Sequence, residues 1–450
     1  MTATTPREPA TLSRRRLLRN AGALAVGGLG LSACSSSFAA GIAGAGNPKQ
    51  SLNYWNLFGG GDGVRMIAME NAYRKSHPNI ELKAVTLAWG NPYYTKLSLA
   101  TLGDRPPDVA ISHLTRARSL AAADLLEPLD PRVLAQYGMT GNKFIQRAWK
   151  HAHFNGKLWA IPLDVHPFVL FYRTDLCKKA GLLDQNGKLK PLVGRSAFVG
   201  ALEKMKKVTG KYGGVISINA DVASPWRWFY SMYGQLGGKV LTNEGTKVLF
   251  DVAKATKVLD LIREVCVTKQ LMPSNIDYGT AIVDFVTGAA GFYLQGEWEI
   301  TTFQTAKIPF SMAKFPHVFA QGPYACQADS HTFVIPKQPS QAGRDKSMTF
   351  IRYLLGQSAT WAAGGHIPAW LPYETSKAYA HLEPQSNYAD AAQGAIYDPD
   401  GWFSGSGSDF ETAMSASIAG VESGRVQPAT AAKQMRAAIA HYASIPSPLA

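Results

Sequence analysis

From residue 50 onward, the hydrophobic and polar positions of this chain switch repeatedly between the period of a strand and the period of a helix. Residues 52–58 and 80–87 alternate as strands do, whereas residues 64–76 and 92–102 repeat apolar positions every three or four residues. Because strand-like and helix-like stretches alternate, we predict an α/β fold built on mainly parallel, doubly wound sheets.

A chain of 450 residues is longer than one hydrophobic core usually fills, so the pattern predicts two lobes. Residues 160–171 contain two prolines and no helical period, and we expect the first crossing between the lobes there. The predicted boundaries assign residues 50–163 plus 309–338 to lobe 1 and residues 164–308 plus 339–450 to lobe 2.

The return crossings are predicted further along the chain. Residues 308–316 and 327–335 have the pattern of strands that return to lobe 1, and residues 341–355 have the pattern of a helix that re-enters lobe 2. The final region, residues 378–445, is predicted to be mostly helical, and no internal repeat stands out.

Residues 285–300 contain the most informative junction of the sequence. A helix ends at Gly288, a short apolar strand follows, and Gly296 interrupts it before an acidic helix start at residues 297–299. Strand–glycine–helix junctions of this kind lie at the carboxyl edge of an α/β sheet, where ligands bind. The junction therefore places Trp298 at a candidate binding edge, although a core tryptophan would give the same pattern.

The N-terminus has the order of an export signal. Arginines at residues 14–16 precede an apolar stretch at 21–31 and the sequence LSAC that ends at Cys34. We predict a twin-arginine-type signal peptide over residues 1–33, lipidation of Cys34, and a flexible tether over residues 34–49. The protein would then be exported and lipid-anchored at the outer face of the cytoplasmic membrane.

The charge distribution and the motifs of the chain argue against several classes of function. The formal net charge is +14, but past the signal the basic residues are dispersed and are not interleaved with aromatics, so we expect no nucleic-acid partner. No spacing of the CxxC kind suggests a metal site, no cofactor fingerprint occurs, and no catalytic motif is present. Cys177, Cys266 and Cys326 leave open one disulfide with one free thiol.

Several motifs occur in a fixed order along the chain. They read YWNLFGGGDG at 54–63, LLEPLD at 125–130, NGKLWAIP at 155–162, LFYRTDLCKKAG at 170–181 and GEW at 296–298, followed by GGHIP at 364–368. This series resembles the extracellular solute-binding proteins (family 1, maltose-binding-protein-like) of ABC sugar importers, over roughly residues 50 to 445. The resemblance implies a two-lobed, periplasmic-binding-protein type II-like fold with a ligand cleft, a membrane permease as partner, a monomer, and no enzymatic activity.

A sugar site needs aromatic plates for the C–H faces of the rings and polar side chains for the hydroxyls. The loops predicted at the cleft supply both kinds of residue, with Trp402 the weakest candidate. The candidate ligand-binding residues are Asn56, Phe58, Asp62, Trp89, Tyr93, Ser112, His113, Arg116, Asp164, His166, Ser224, Trp226, Trp298, Trp370 and Trp402.

The resemblance assigns roles to some of these positions. It implies that Asp62 lies in the first-strand loop that contacts sugar hydroxyls, and that Trp226 and Trp298 keep aromatic character at stacking positions. His166 and Ser224 stand where maltose-binding members have acids, which argues against a maltose-like hydroxyl pattern.

The sequence leaves other ligands open. A glycerophosphodiester would use an arginine such as Arg116 or Arg227, and an amino sugar would use a carboxylate such as Asp62 or Asp164. From other classes, a secreted carbohydrate-active enzyme would need two placed carboxylates or a nucleophile–base set, and a structural lipoprotein would lack a cleft lined from both lobes.

Overall fold

The computed structural model describes residues 50–242, 245–338, 340 and 343–447. The predicted signal peptide, Cys34 and the tether lie outside these residues. The described residues form one compact unit. Among the described residues, no helix combines the length and the apolar character that a membrane crossing requires.

The strands, in chain order, are β1 (Gln50–Asn56), β2 (Ile80–Thr86), β3 (Val109–His113), β4 (His153–Phe154), β5 (Lys157–Leu158), β6 (Ile161–Pro162), β7 (Asp164–Arg173), β8 (Tyr212–Val215), β9 (Ala290–Gly296), β10 (Phe310–Lys314), β11 (Cys326–Asp329), β12 (His331–Val334), β13 (Ile367–Pro368) and β14 (Ala395–Ile396).

The α-helices are α1 (Gly60–Ser76), α2 (Asn91–Leu102), α3 (Leu114–Ala122), α4 (Pro131–Gln136), α5 (Gln146–His151), α6 (Thr174–Lys179), α7 (Arg195–Thr209), α8 (Ser224–Gln235), α9 (Val252–Arg263), α10 (Tyr278–Val286), α11 (Ile300–Thr305), α12 (Arg344–Gly356), α13 (Ser358–Ala362), α14 (Leu371–Glu374), α15 (Lys377–Ala380), α16 (Asp409–Glu422) and α17 (Pro428–Ser444). Three 3₁₀ helices (Gly141–Lys143, Glu297–Glu299, Gln385–Gly394) and one π-helix (Glu264–Thr268) connect them among the described residues.

Two sheets organise these elements into two lobes. The first sheet has the order β2-β1-β3-β12-β6, with β1, β2 and β3 parallel and β12 antiparallel to β3. The second has the order β14-β11-β7-β9-β8, and both β10 and β13 also pair with β7. The two-lobed α/β architecture predicted from the sequence is therefore confirmed. The expectation of mainly parallel sheets is wrong for the second sheet, in which β9, β10, β11 and β13 all run antiparallel to β7.

Strand β7 is the centre of the second sheet. All ten of its residues are buried, as expected for a strand that is covered on both faces. Its side chains alternate between two hydrophobic clusters, because Val169 and Phe171 contribute to one while Leu170 and Tyr172 contribute to the other. The strand thus connects the packing of the two halves of the molecule.

The chain crosses between the sheets three times, and the crossings contact one another. The first lies at Leu163 between β6 and β7, the second at Ser330 between β11 and β12, and the third just before β13. The Leu163 N–H donates to the His331 carbonyl at 2.8 Å, and the Ala369 N–H donates to the Leu163 carbonyl at 3.0 Å. The three crossings therefore form one hydrogen-bonded junction.

The first difference from the sequence prediction concerns residues 308–316. The pattern assigns them to lobe 1, but β10 pairs antiparallel with β7 in the second sheet. The preceding helix α11 is only six residues long and the chain reverses at Lys307, where φ is 53°. This tight reversal returns the chain to the sheet that it has just left, so the crossing occurs later, at Ser330.

The second difference concerns α12, which the pattern assigns to lobe 2. Its Phe350 packs edge-on against Tyr54 of β1 and Tyr73 of α1, with ring centroids 5.0 and 4.9 Å apart. The amphipathic period fixes which face of a helix is buried but not which sheet covers it. Helix α12 therefore belongs to the packing of the first lobe.

The three described cysteines, Cys177, Cys266 and Cys326, are buried free thiols, so the disulfide that the sequence left open does not form among them.

We predict that Phe350→Ala lowers the free energy of unfolding by about 3–5 kcal/mol, because it empties the contact between α12 and the first sheet. The exposed residue Leu99 provides the control, since Leu99→Ala is expected to change stability by less than about 0.5 kcal/mol. Urea unfolding measures both. Equal, small effects would contradict this placement of α12.

Candidate functional site

A cavity of about 450 Å³ lies between the two sheets. Its size is within the range of about 300–1,000 Å³ that is usual for small-ligand sites. Both lobes and the crossings between them contribute to its wall. The lining residues are Leu57, Phe58, Gly59, Gly60, Gly61, Asp62, Trp89, His113, His166, Ala220, Asp221, Val222, Ala223, Ser224, Arg227, Tyr278, Trp298, Glu299, Thr302 and His331.

The cavity lies at the carboxyl ends of strands in both sheets, which is where α/β folds bind ligands. In the first lobe, the loop after β1 supplies Phe58 and Asp62, and β3 ends at His113. In the second lobe, the segment after β8 supplies Asp221, and β9 ends at Gly296 just before Trp298. The strand–glycine–helix junction therefore lies beside the cavity.

The indole of Trp298 is held in a defined orientation. Its Nε1–H donates to the Tyr278 hydroxyl at 2.9 Å, and that hydroxyl donates to Glu299 Oε1 at 2.5 Å. The Arg227 guanidinium lies 5.0 Å from the centre of the indole, within the range of a cation–π contact. A Cβ at Gly296 would lie 1.9 Å from the indole ring, so only glycine permits this packing.

The first-lobe wall presents a second indole. Trp89 is 37% exposed, and its ring lies edge-on to His113 at 6.3 Å between centroids. Phe58 is buried between His331 and Trp361, at 4.8 Å from each ring. The cavity therefore has apolar aromatic surface on both sides.

Three histidines from three different strands meet in the cavity wall. The ring centroids are 4.2 Å apart for His166 and His331, 5.0 Å for His113 and His331, and 5.6 Å for His113 and His166. Burial, reinforced by the nearby His331, lowers the pKa of His113 well below its usual value and that of His166 to about 3. His113 and His166 are thus neutral at physiological pH.

Asp164 lies buried behind this wall and contacts several groups at once. Its Oδ1 accepts from the His331 N–H at 2.8 Å and lies 3.0 Å from His166 Nδ1. Its Oδ2 accepts from Trp361 Nε1–H at 2.7 Å and lies 2.8 Å from His331 Nδ1. Burial favours the neutral acid, but the histidine charges and hydrogen bonds outweigh it and hold the pKa of Asp164 well below its usual value.

His366, from the third crossing, is also surrounded by acids. Its Nε2 lies 2.9 Å from Asp62 Oδ1, and its Nδ1 lies 2.8 Å from Glu297 Oε1 and 3.5 Å from Asp164 Oδ2. Burial alone would lower the pKa of His366, but the charges of Asp62 and Asp164 raise it well above its usual value. Burial raises the pKa of Glu297 to about 7.

The structure brings about half of the candidate residues from the sequence together. The candidates that line the cavity are Phe58, Asp62, Trp89, His113, His166, Ser224 and Trp298. Asp164 lies directly behind the wall.

The other candidates lie elsewhere because packing or local hydrogen bonds occupy them. Trp226 was expected to face the cleft, but its ring stacks on Tyr230 at 4.6 Å and its Nε1–H donates to Asp398 at 2.9 Å. The next residue of the helix, Arg227, faces the cavity instead. The remaining candidates outside the cavity wall are Asn56, Tyr93, Ser112, Arg116, Trp370 and Trp402.

Each of these has an alternative partner. Asn56 contacts Glu70 and Thr86; the Tyr93 hydroxyl donates to the Ile111 carbonyl; Ser112 donates to the His113 carbonyl; Arg116 lies over the Tyr94 ring; Trp370 packs on Phe144; and Trp402 donates to the Ile445 carbonyl.

Several cavity residues were not among the sequence candidates. They include Asp221, Tyr278, Glu299 and His331, which come from four separate segments. Only Glu299 could have been found from the sequence, because it belongs to the acidic helix start that follows Gly296. The packing of the second lobe places Asp221 and Tyr278, and the second crossing places His331, and no spacing along the sequence reveals either.

Arg227 is supported from behind by a buried acid. Its Nε lies 3.7 Å from Glu411 Oε1, and the other carboxylate oxygen accepts from the Gly407 N–H at 2.6 Å. Burial raises the pKa of Glu411 to about 8, opposed by Arg227 and reinforced by Asp398. Between pH 5 and pH 8 the folded chain therefore keeps a proton that the unfolded chain has released.

We predict that the wild-type protein loses stability relative to Glu411→Gln as the pH rises from 5 to 8, by up to about 1.4 kcal/mol per pH unit. The glutamine amide does not titrate, so the stability of this variant lacks the pH dependence that the Glu411 proton causes. Thermal unfolding across this pH range measures the difference. Glu81→Gln, at an exposed site, is the control and should follow the wild type. Parallel pH profiles for wild type and Glu411→Gln would contradict the prediction.

Comparison with known proteins identifies related chains. Residues 60–361 match the sequence profile of the bacterial extracellular solute-binding protein family. The arabinooligosaccharide-binding protein of Bacillus subtilis (strain 168) is 26% identical over 252 residues, which are 54% of this chain and 53% of that protein. A maltooligosaccharide ABC transporter solute-binding lipoprotein of Streptococcus pneumoniae is 24% identical over 290 residues, 61% of this chain and 62% of that protein. The matched segment thus spans little more than half of these relatives.

Solved structures share the fold. The sugar-binding protein MalE of Xanthomonas citri has a TM-score of 0.73 against this chain, with 20% identity, and the match covers 88% of this chain and 98% of that one. The GacH receptor of Streptomyces glaucescens, whose structure was also determined with acarbose, has a TM-score of 0.72 with 18% identity over 87% of this chain and 97% of that one. At this identity the likeness establishes the two-lobed fold alone.

Proposed function

Because the chain belongs to the bacterial extracellular solute-binding protein family, we propose that it captures an oligosaccharide or sugar derivative in the cavity between its lobes and delivers it to the permease of an ABC importer. The names of the relatives support this proposal, since two of them bind arabino- and maltooligosaccharides. The residues that line this chain's own cavity determine which sugar it binds.

The observation that carries the proposal is the pairing of aromatic surface with hydrogen-bonding groups in one cavity. Trp298 and Trp89 offer indole surface from opposite lobes for the C–H faces of sugar rings. Asp62, Asp221 and Glu299 line the same space, and carboxylates accept hydrogen bonds from hydroxyls. This is the combination that a sugar requires.

The two-sided cavity also supports a mechanism of capture. A ligand that contacts both lobes favours the conformation in which they are close, so binding shifts an open–closed equilibrium. The permease would recognise the closed form. No chemical change of the ligand is needed, and the family match supports a transport role without catalysis.

We also propose where the protein is located. We infer export through the signal at residues 1–33, lipidation at Cys34 and a tether to residue 49, which would hold a monomeric receptor at the outer face of the cytoplasmic membrane. The lipoprotein named among the relatives supports this inference.

An amino sugar is the second candidate ligand. Three acids, Asp62, Asp221 and Glu299, line the cavity together with one arginine, Arg227. This balance favours a ligand that carries an ammonium group over a glycerophosphodiester, because an anion would meet an excess of carboxylates.

The test is a thermal-shift and calorimetric screen of the purified protein against arabino- and maltooligosaccharides, amino sugars and glycerophosphodiesters. A ligand at one hundred times its dissociation constant should stabilise the protein by about 2.7 kcal/mol. Binding of phosphodiesters alone would overturn the carbohydrate assignment, and no binding by any class would overturn the receptor role.

We predict that Trp298→Ala weakens binding of the sugar found in that screen by at least about tenfold, or about 1.4 kcal/mol, because a stacking surface is lost. Trp402→Ala is the matched control, since this indole lies outside the cavity wall, and it should retain the wild-type affinity. Isothermal titration measures both. Equal affinities for the two variants would exclude stacking on Trp298.

A further inference from the structure

Four buried side chains at the junction of the crossings place metal-ligand atoms close together. Asp164, His166, His331 and His366 each direct one donor atom into a group in which all four lie within 4.8 Å of one another. Asp164 and His166 come from β7, His331 from β12, and His366 from the third crossing. The sequence predicts no metal site because His331 and His366 are far from Asp164 and His166 along the chain.

The distances in this group are close to those around a metal ion. The Nδ1 atoms of His331, His166 and His366 lie 2.8, 3.0 and 3.5 Å from the carboxylate oxygens of Asp164. Two ligands of one tetrahedral zinc ion, each about 2.1 Å from the metal, are about 3.4 Å apart. Small shifts of the side chains would therefore accommodate an ion between them.

Hydrogen bonds within the protein do not satisfy the whole group. Among the described residues, His366 Nδ1 and both carboxylate oxygens of Glu297 are buried and have no hydrogen-bond partner of acceptable geometry, although Nδ1 and one of these oxygens are 2.8 Å apart. An unsatisfied polar group in a native interior requires an explanation, and a bound ion or water that completes the site is one. Here they adjoin the four donor atoms.

Other contacts would orient the ligands. Asp62 lies 2.9 Å from Nε2 of His366, on the ring side opposite the donor Nδ1. The carboxylate of Asp164 accepts from Trp361 Nε1–H and from the His331 N–H, which fixes its plane. Carboxylates and N–H groups in such supporting positions are typical of metal sites in proteins.

We propose that Asp164, His166, His331 and His366 form a binding site for one divalent transition-metal ion, zinc above all, at the junction of the three crossings. Three imidazole nitrogens and one carboxylate oxygen suit zinc, cobalt, nickel or copper rather than magnesium or calcium, which prefer oxygen ligands. On binding, a neutral imidazole ligates through Nδ1 as the tautomer that carries its proton on Nε2, whereas an imidazolium releases one proton to solvent. The ion would join the crossings that connect the lobes, behind the sugar cavity.

The test uses protein purified without a polyhistidine tag. We expect about one equivalent of zinc per chain by elemental analysis after incubation with zinc and desalting. Cobalt added to chelator-treated protein should give the intense visible absorption of a tetrahedral site, and zinc should abolish it. Removal of the metal should lower the melting temperature. Wild-type protein without bound zinc and without this cobalt spectrum would overturn the proposal.

A matched pair of histidine variants assigns the site. His331→Asn removes a ligand and should lower cobalt binding at least tenfold. His113→Asn alters another buried histidine of the same wall, whose ring lies 5.0 Å from that of His331, and should retain the cobalt spectrum. Equal loss in both variants, or equal retention in both, would contradict the assignment. Because wild-type protein is measured directly, the test stands even if one variant does not fold.

Discussion

The buried carboxylate of Asp164 is the contact on which the junction between the lobes depends. It accepts from the His331 N–H and the Trp361 indole, and it lies within 3.0 Å of Nδ1 of both His166 and His331. Removal of one partner from a buried charge of this kind typically costs about 3–5 kcal/mol. Together with the backbone hydrogen bonds of Leu163, this one carboxylate at the start of β7 therefore fixes the crossing strands and, through His166 and His331, the cavity wall.

This arrangement divides the cavity into two kinds of surface. The crossings supply His166 and His331, which are fixed by Asp164 and shared by both lobes. The lobes supply the aromatic and acidic groups: Trp89 and Asp62 from one, Trp298 and Asp221 from the other. A ligand in this space contacts all three regions, and its binding energy can therefore favour approach of the lobes without displacing the junction.

Much of the fold was predictable because local patterns determine it. The alternation of strand and helix periods identified the α/β class, and the glycine before Trp298 identified one edge of the cavity. The lobe assignment of α12 and of β10 was not predictable, because amphipathicity shows that a face is buried but not which sheet covers it. Likewise, the exchange of Trp226 for Arg227 as the cavity residue depends on the rotation of α8, which is set by tertiary packing. His331 and His366 could not be grouped with Asp164 from sequence, since only the crossings bring them together.

A crystal structure of the protein with the oligosaccharide that binds best would show most directly whether the cavity between the lobes captures sugar. We expect a sugar ring against Trp298, with hydroxyls hydrogen-bonded to at least one acid from each lobe, Asp62 on one side and Asp221 or Glu299 on the other. A sugar found instead in the basic surface cavity at Arg118 and His151, or one that contacts a single lobe, would contradict it.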